Sequence, residues 1–210
     1  MYTPKSFKLE ELSKLHELII NNNFGLLFSH STEKGSSLAT HLPFDLDKAR
    51  GEYGTLVGHL ARANGQWKTW NEGTELLVVF QGPHAYISPA WYQQQVAVPT
   101  WNYAAIHVYG RPKIVQEPED IRPMVEKLVA MHEGYLGNPW DTSKMDEIMD
   151  SQLKAIVGVE IEIERIEGKL KFNQNRSEED QRGVAEALSE SEDSAEKKVS
   201  QIMFENLNEA

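Results

Sequence analysis

The segment NYAAIHVYGRPKIV, residues 102–115, decides the fold. Ala104, Ile106 and Val108 alternate with His107 and Tyr109, which is the two-residue period of a strand with one face on a core and the other on a site or interface. The same reading extends outward. Val157, Val159, Ile161 and Ile163 alternate with Gly158, Glu160, Glu162 and Glu164, a half-exposed strand whose glutamates form the wet face. Leu76 to Phe80 shows no alternation, as expected for a strand covered on both faces. Further apolar runs, FGLLFSH, SSLATHLPFDL, GTLVGHLA and HAYIS, are separated by turn chemistry. Within GPHAYISPAWY, residues 82–92, Gly82-Pro83 and Ser88-Pro89 predict two turns around a short strand.

Helical patterns are fewer. Leu9, Leu12, Leu15, Leu18 and Ile19 recur at helical spacing through Asn21, with an Asn run and Gly25 as the stop. Ile121, Met124, Val125, Leu128 and Met131 form one apolar stripe, predicting a helix over Glu119–Tyr135, and a shorter helix is expected over Met145–Leu153. Strands dominate, and no repeat of 20–50 residues is visible. The expected fold is mainly β with peripheral helices, a closed β-barrel.

The chain has 210 residues and 40% apolar composition, enough for one large domain or two small ones. It contains no cysteine, so disulfides, thiolate chemistry and cysteine-ligated metal sites are excluded. No apolar run reaches membrane-spanning length and the N-terminus lacks signal-peptide order, so a cytoplasmic protein without a membrane partner is expected. The formal charge is −11, and residues 177–210 hold ten acidic and three basic side chains. Such a segment repels phosphate backbones, which weighs against a broad DNA-binding face. The sequence divides into a main body, residues 1–188, and an acidic tail, residues 189–210. Val199, Ile202, Met203 and Leu207 could form a docking helix for a partner subunit, the alternative being a frayed end.

None of the seven histidines forms a helical metal-ligand pair, and no metal site is assigned. There is no GxSxG elbow and no phosphate-binding loop, and no catalytic residue is assigned. What remains are segments that could hold a flat, phosphorylated ligand. Thr40 and His41 lie toward the end of a strand, and Gly58, His59 and Arg62 lie where a strand turns into a short helix whose N–H groups would add to anion attraction. The other reading is scaffold: Gly58 permits a bend, Arg62 forms a surface ion pair, and Trp67 with Trp70 covers a barrel end. The residues alone leave both open.

Six ordered motifs add to this: MYTPKSF at 1–7, THLPF at 40–44, GHLARAN at 58–64, GPHAYISPAWY at 82–92, VPTWNYAAIHVYG at 98–110 and KFNQNR at 171–176. Together they resemble the PaiB family of bacterial FMN-binding transcriptional regulators, over Met1 to about Leu188. The resemblance implies an FMN-binding split β-barrel, similar to pyridoxamine-phosphate oxidases, working as a homodimer with flavin at the subunit interface. It implies that Ala39, Thr40, His41 and Leu42 form one wall of the FMN site. Gly58, His59, Ala61 and Arg62 would approach the flavin tail and phosphate, with Arg62 the single strongly basic group there. Trp101, Asn102 and Tyr103 would close the site from the partner subunit, and Arg176 matches a late, substrate-facing arginine. His84 is an outside candidate. The implied role is negative regulation of sporulation and of degradative (protease) enzyme synthesis, acting on promoter DNA directly or through a protein partner. The alternative is a flavin-dependent oxidoreductase or a haem-handling enzyme on the same barrel.

Overall fold

The computed structural model describes residues 1–31, 35–71, 73–93, 97–136, 140 and 146–209, the side chains of 146, 147 and 209 apart. In chain order the elements are β1 (Lys8–Leu9), α1 (Leu12–Asn21), β2 (Phe24–Ser31), β3 (Ser36–Pro43), β4 (Asp45–Asp47), β5 (Thr55–Ala61), β6 (Leu76–Ile87), β7 (Thr100–Val115), α2 (Pro118–Glu133), α3 (Asp146–Leu153), β8 (Ile156–Lys171), α4 (Glu178–Ser189) and α5 (Ser194–Glu209). The chain forms two compact units. The first comprises Met1–Leu18, Gln81–Ile106 and Glu167–Ala210; the second comprises Ile19–Phe80 and His107–Ile166.

The second unit is the barrel. Its strands run in the order β3-β2-β6-β7-β8-β5-β4. β3 and β4 are separated only by Phe44, so the two ends of this order are one continuous piece of chain. β3 pairs antiparallel with β2 (Thr40 opposite Leu27), and β4 pairs with β5 (Asp45 opposite Val57). The ring therefore closes through the backbone at Phe44, whose ring is buried and meets Phe80 edge-on at 5.8 Å. The interior follows strand parity: Leu56, Gly58 and Leu60 of β5 oppose Ile161, Val159 and Val157 of β8, all buried. Outside, Ile121 of α2 packs with Met149 and Leu153 of α3.

The first unit holds β1 against the end of β8 and a second apolar cluster. Ala85, Ile87, Ala104 and Phe172 supply its sheet side, and Val184, Leu188, Val199 and Met203 its helical side. Ser177 caps α4 by accepting from the Asp180 N–H, and Ser200 Oγ donates to the Ala185 carbonyl, tying α5 to α4.

Several expectations are revised. The first helix begins at Leu12, because Leu9 is in β1, paired with Gly168. The second runs Pro118–Glu133 and the third Asp146–Leu153, Met145 lying outside the described residues. Leu76–Phe80 alternates after all, with Leu77 and Val79 half-buried. Gly82-Pro83 makes no turn: β6 runs through it, because the missing side chain of Gly82 lets Ala104 approach to where a Cβ atom would lie 2.8 Å away. In the tail, α5 spans Ser194–Glu209 and docks on its own chain, since α4 offers Val184 and Leu188 to Val199 and Met203.

Candidate functional site

In the second unit, the candidates on β3 divide by parity. Leu42 is buried inside the barrel, whereas Ala39 and His41 are exposed on the outer face, where His41 stacks on Phe24 at 6.0 Å. β3 is paired with β2 on one side only, so its other edge offers backbone N–H and C=O groups. Thr40 is committed internally. Its hydroxyl donates to Gln66 Oε1 and accepts from Asn64 Nδ2 at 2.9 Å. The Gln66 amide is buried and also reaches Ser29 Oγ at 3.1 Å and the carbonyls of Leu27 and Leu38 at 3.3 Å. Gln66 thus fastens the turn after β5 onto β2 and β3, a role that sequence reading missed.

Gly58 and His59 face opposite ways. A Cβ on Gly58 would lie 3.1 Å from Leu42 and Phe44, so its missing side chain makes room in the barrel interior. His59 is opposite Gly158, over which Met124 of α2 lies. Burial holds the His59 imidazole below its usual pKa, so it is neutral at neutral pH and brings no positive charge to a phosphate. Ala61 is exposed at the strand end. The short helix expected next is one 3-10 turn, Trp67–Thr69, too short to offer an anion a helix terminus.

Among the described residues, Arg62 forms no ion pair. Its Nε donates to the Lys154 carbonyl at 2.9 Å, Nη1 to Gln116 Oε1 at 3.3 Å and Nη2 to the Gln116 carbonyl at 3.2 Å. Of the five guanidinium N–H groups, two remain for an anion. Its partners among the described residues are all neutral.

The remaining candidates lie in the first unit. Trp101 is 53% exposed and its ring lies 5.8 Å from His84 and 6.1 Å from Tyr86. Tyr103 shares that face, with Lys169 Nζ 5.1 Å from its ring centre. Asn102 points the other way. It is fully buried, Nδ2 donates to Met203 Sδ at 3.4 Å, and its Oδ1 has no partner among the described residues. The expectation that Asn102 and its two neighbours act together meets the pleat: consecutive strand residues face opposite sides. Arg176 follows β8 in a turn pinned by Asn173, which adopts φ 64° and donates from Nδ2 to the Tyr92 hydroxyl at 3.0 Å. The Arg176 guanidinium lies 5.0 Å from the centre of the Tyr92 ring.

These residues fit a flavin in chemical type. An open strand edge can meet the polar rim of the ring, Trp101 and Tyr103 offer stacking faces, and Arg62 retains charge and two donors.

Comparison with known proteins gives the family. The family model described as "Putative FMN-binding domain" matches residues 1–165. "Protease synthase and sporulation protein PAI 2" of Bacillus subtilis is 38% identical over 212 residues, covering 99% of this chain and 98% of its own. An uncharacterized protein of Emericella nidulans is 30% identical over 212 residues, 83% of this chain and 84% of its own. Among solved structures, the FAD and heme binding protein of Mycobacterium smegmatis superimposes with a TM-score of 0.61 at 14% identity, covering 82% of this chain and 78% of its own. The flavocytochrome Anf3 of Azotobacter vinelandii gives 0.57 at 10% identity, covering 83% and 74%. No helix among the described residues is long and apolar enough to cross a membrane. With a family match over most of the chain and end-to-end similarity to the Bacillus protein, the chain belongs to the PaiB family, on the FMN-binding split-barrel fold.

Proposed function

We propose that this protein is a homodimeric, cytoplasmic regulator that binds FMN and restrains sporulation and degradative enzyme synthesis. The observation that carries the reading is the 38% identity to the Bacillus sporulation protein over 99% of the chain. In the proposed site, the open edge of β3 at Ala39–Leu42 meets the ring, and Arg62 holds the phosphate beside Gly58, His59 and Ala61. Trp101 and Tyr103 of a second copy close over it, with Asn102 packed behind them and Arg176 at the rim. Bound flavin would supply redox chemistry; the residues around it bind, orient and exclude water. His59, neutral and covered, contributes shape rather than charge.

The charge of −11 favours promoter control through a protein partner over direct DNA contact. A mobility shift on promoter DNA at low salt separates the two, and a shift that vanishes as salt rises would establish direct contact.

Titration with FMN, followed by tryptophan quenching, tests the cofactor. Arg62→Ala is expected to weaken FMN about tenfold or more, as for loss of a charged hydrogen bond, and to leave riboflavin unchanged. No FMN binding by the wild type removes the cofactor, and a monomer in solution removes the shared site. Turnover of NAD(P)H by flavin-loaded protein would replace the regulator with the oxidoreductase.

A further inference from the structure

The sheet of the first unit has two contrasting faces. Ala85, Ala104 and Phe172 turn toward α4 and α5. The alternate residues, His84 and Tyr86 of β6, Trp101 and Tyr103 of β7, and Lys169 and Lys171 of β8, turn to the other face. Four ring systems on this face are accessible: Trp101 is 53% exposed, Tyr86 44% and Tyr2, which lies beside Lys169, 85%, and the His84 imidazole is exposed as well.

The two lysines are partnered only by neutral groups. Lys171 Nζ donates to Thr100 Oγ1 and to the Trp101 carbonyl at 2.7 Å. Lys169 is 8% exposed; its Nζ donates to the Tyr2 carbonyl at 3.2 Å and lies over the Tyr2 and Tyr103 rings at 5.8 and 5.1 Å. The nearby carboxylate of Glu167 is engaged by the N-terminal ammonium. Among the described residues, no carboxylate pairs with either lysine. Two ammonium groups held close together without a counter-charge are costly, and an anion relieves that cost. Loss of water and the neighbouring Lys169 push the Lys171 amine below its usual pKa, as expected for a charge lacking its partner.

We infer that Lys169 and Lys171 form an anion site for a planar aromatic ligand, whose ring stacks on Trp101 while its phosphate, sulfonate or carboxylate lies between the two amines. The geometry matches this class in both parts. The Trp101 carbonyl accepts from Lys171, which places the cation at the backbone of the residue whose indole would carry the ring. A flat aromatic surface beside fixed ammonium donors selects a ring bearing charge over either group alone. The inference goes beyond the flavin reading: Trp101 and Tyr103 are common to both, but the anion lies at the lysine pair and not at Arg62.

The test uses 8-anilinonaphthalene-1-sulfonate, followed by its own fluorescence, with FMN and riboflavin as parallel titrants on the full chain. Wild type is expected to bind the sulfonate, more weakly as salt screens the charges. Lys171→Gln should bind it about tenfold or more weakly, as for a lost charged hydrogen bond, and Lys171→Arg should retain most of the affinity. Lys171 is half-exposed, so this substitution spares the fold, and an unchanged melting curve verifies it. Equal affinity of wild type and Lys171→Gln overturns the inference. So does a wild type that binds no sulfonate at low salt, whether the lysines are inert or a second copy covers the face. Sulfonate binding that depends on Lys171 without any FMN binding would refute the flavin reading and leave this site standing.

Discussion

Met203 offers a direct test of the C-terminal helix as a fixed part of the fold. It is 1% exposed and packs in one cluster with Val184, Leu188, Val199 and Phe172. Met203→Ala removes a fully buried side chain and leaves a cavity, at a cost of about 2–5 kcal/mol. It also takes from Asn102 Nδ2 its sulfur acceptor, in a side chain whose Oδ1 already has no partner among the described residues. A central value of about 3 kcal/mol corresponds to a fall in Tm of about 6–12 °C for a chain of this size. The assay is thermal unfolding followed by circular dichroism, with Asn208→Ala, an exposed position on the same helix, as control within about 0.5 kcal/mol. The shift should not depend on protein concentration, because the helix packs on its own chain. A Tm within about 1 °C of wild type would refute the docking, since no buried methionine of this kind is removed at so small a cost.

Gly110→Ala should prevent stable folding or cost several kcal/mol, because its Cβ would lie 2.1 Å from the Glu162 carbonyl oxygen; normal expression and melting would contradict the packing of β7 on β8. Gln66→Leu should cost about 2–3 kcal/mol, read from urea midpoints, since it strands the Thr40 hydroxyl and Ser29 inside the barrel wall. The folded-state pKa of His59 is lowered from 6.5, so the unfolded chain binds more protons and stability falls as pH drops through about 6.5. His59→Gln should flatten that fall, and identical pH profiles for the two proteins would rule out the buried, neutral imidazole.

The strands were legible because side-chain alternation is local. Residues 102–115 and 157–164 announced their faces correctly, and the interior residues of β8 are those the period selects. Asn102 is legible by the same rule: it shares parity with Ala104, Ile106 and Val108, so it lies on the buried face whatever its chemistry. Other roles depended on partners distant in sequence. The commitment of Thr40 comes from a glutamine 26 residues later, and His59 is covered by a helix more than 50 residues further along. Nothing near either residue encodes these contacts. In the tail the docking stripe was legible at Val199 and Met203, but not what covers it: that surface is Val184 and Leu188 of α4, in the same chain, rather than a second subunit.

Barrel closure at Phe44 also dictates an order of events during synthesis. β5 finds its long partner only in β8, with Thr55 opposite Glu162, and β1 likewise waits for Gly168 and Lys169. At about 5–20 residues per second, the ribosome takes about 5–20 s to make the intervening hundred or so residues. Throughout that interval β5 keeps an unpaired edge, and the half-built sheet has no means of sealing itself. The final quarter of the polypeptide is thus the clasp of the molecule, and ribosome stalling before residue 166 would leave a nascent chain that chaperones must hold rather than a smaller domain that functions.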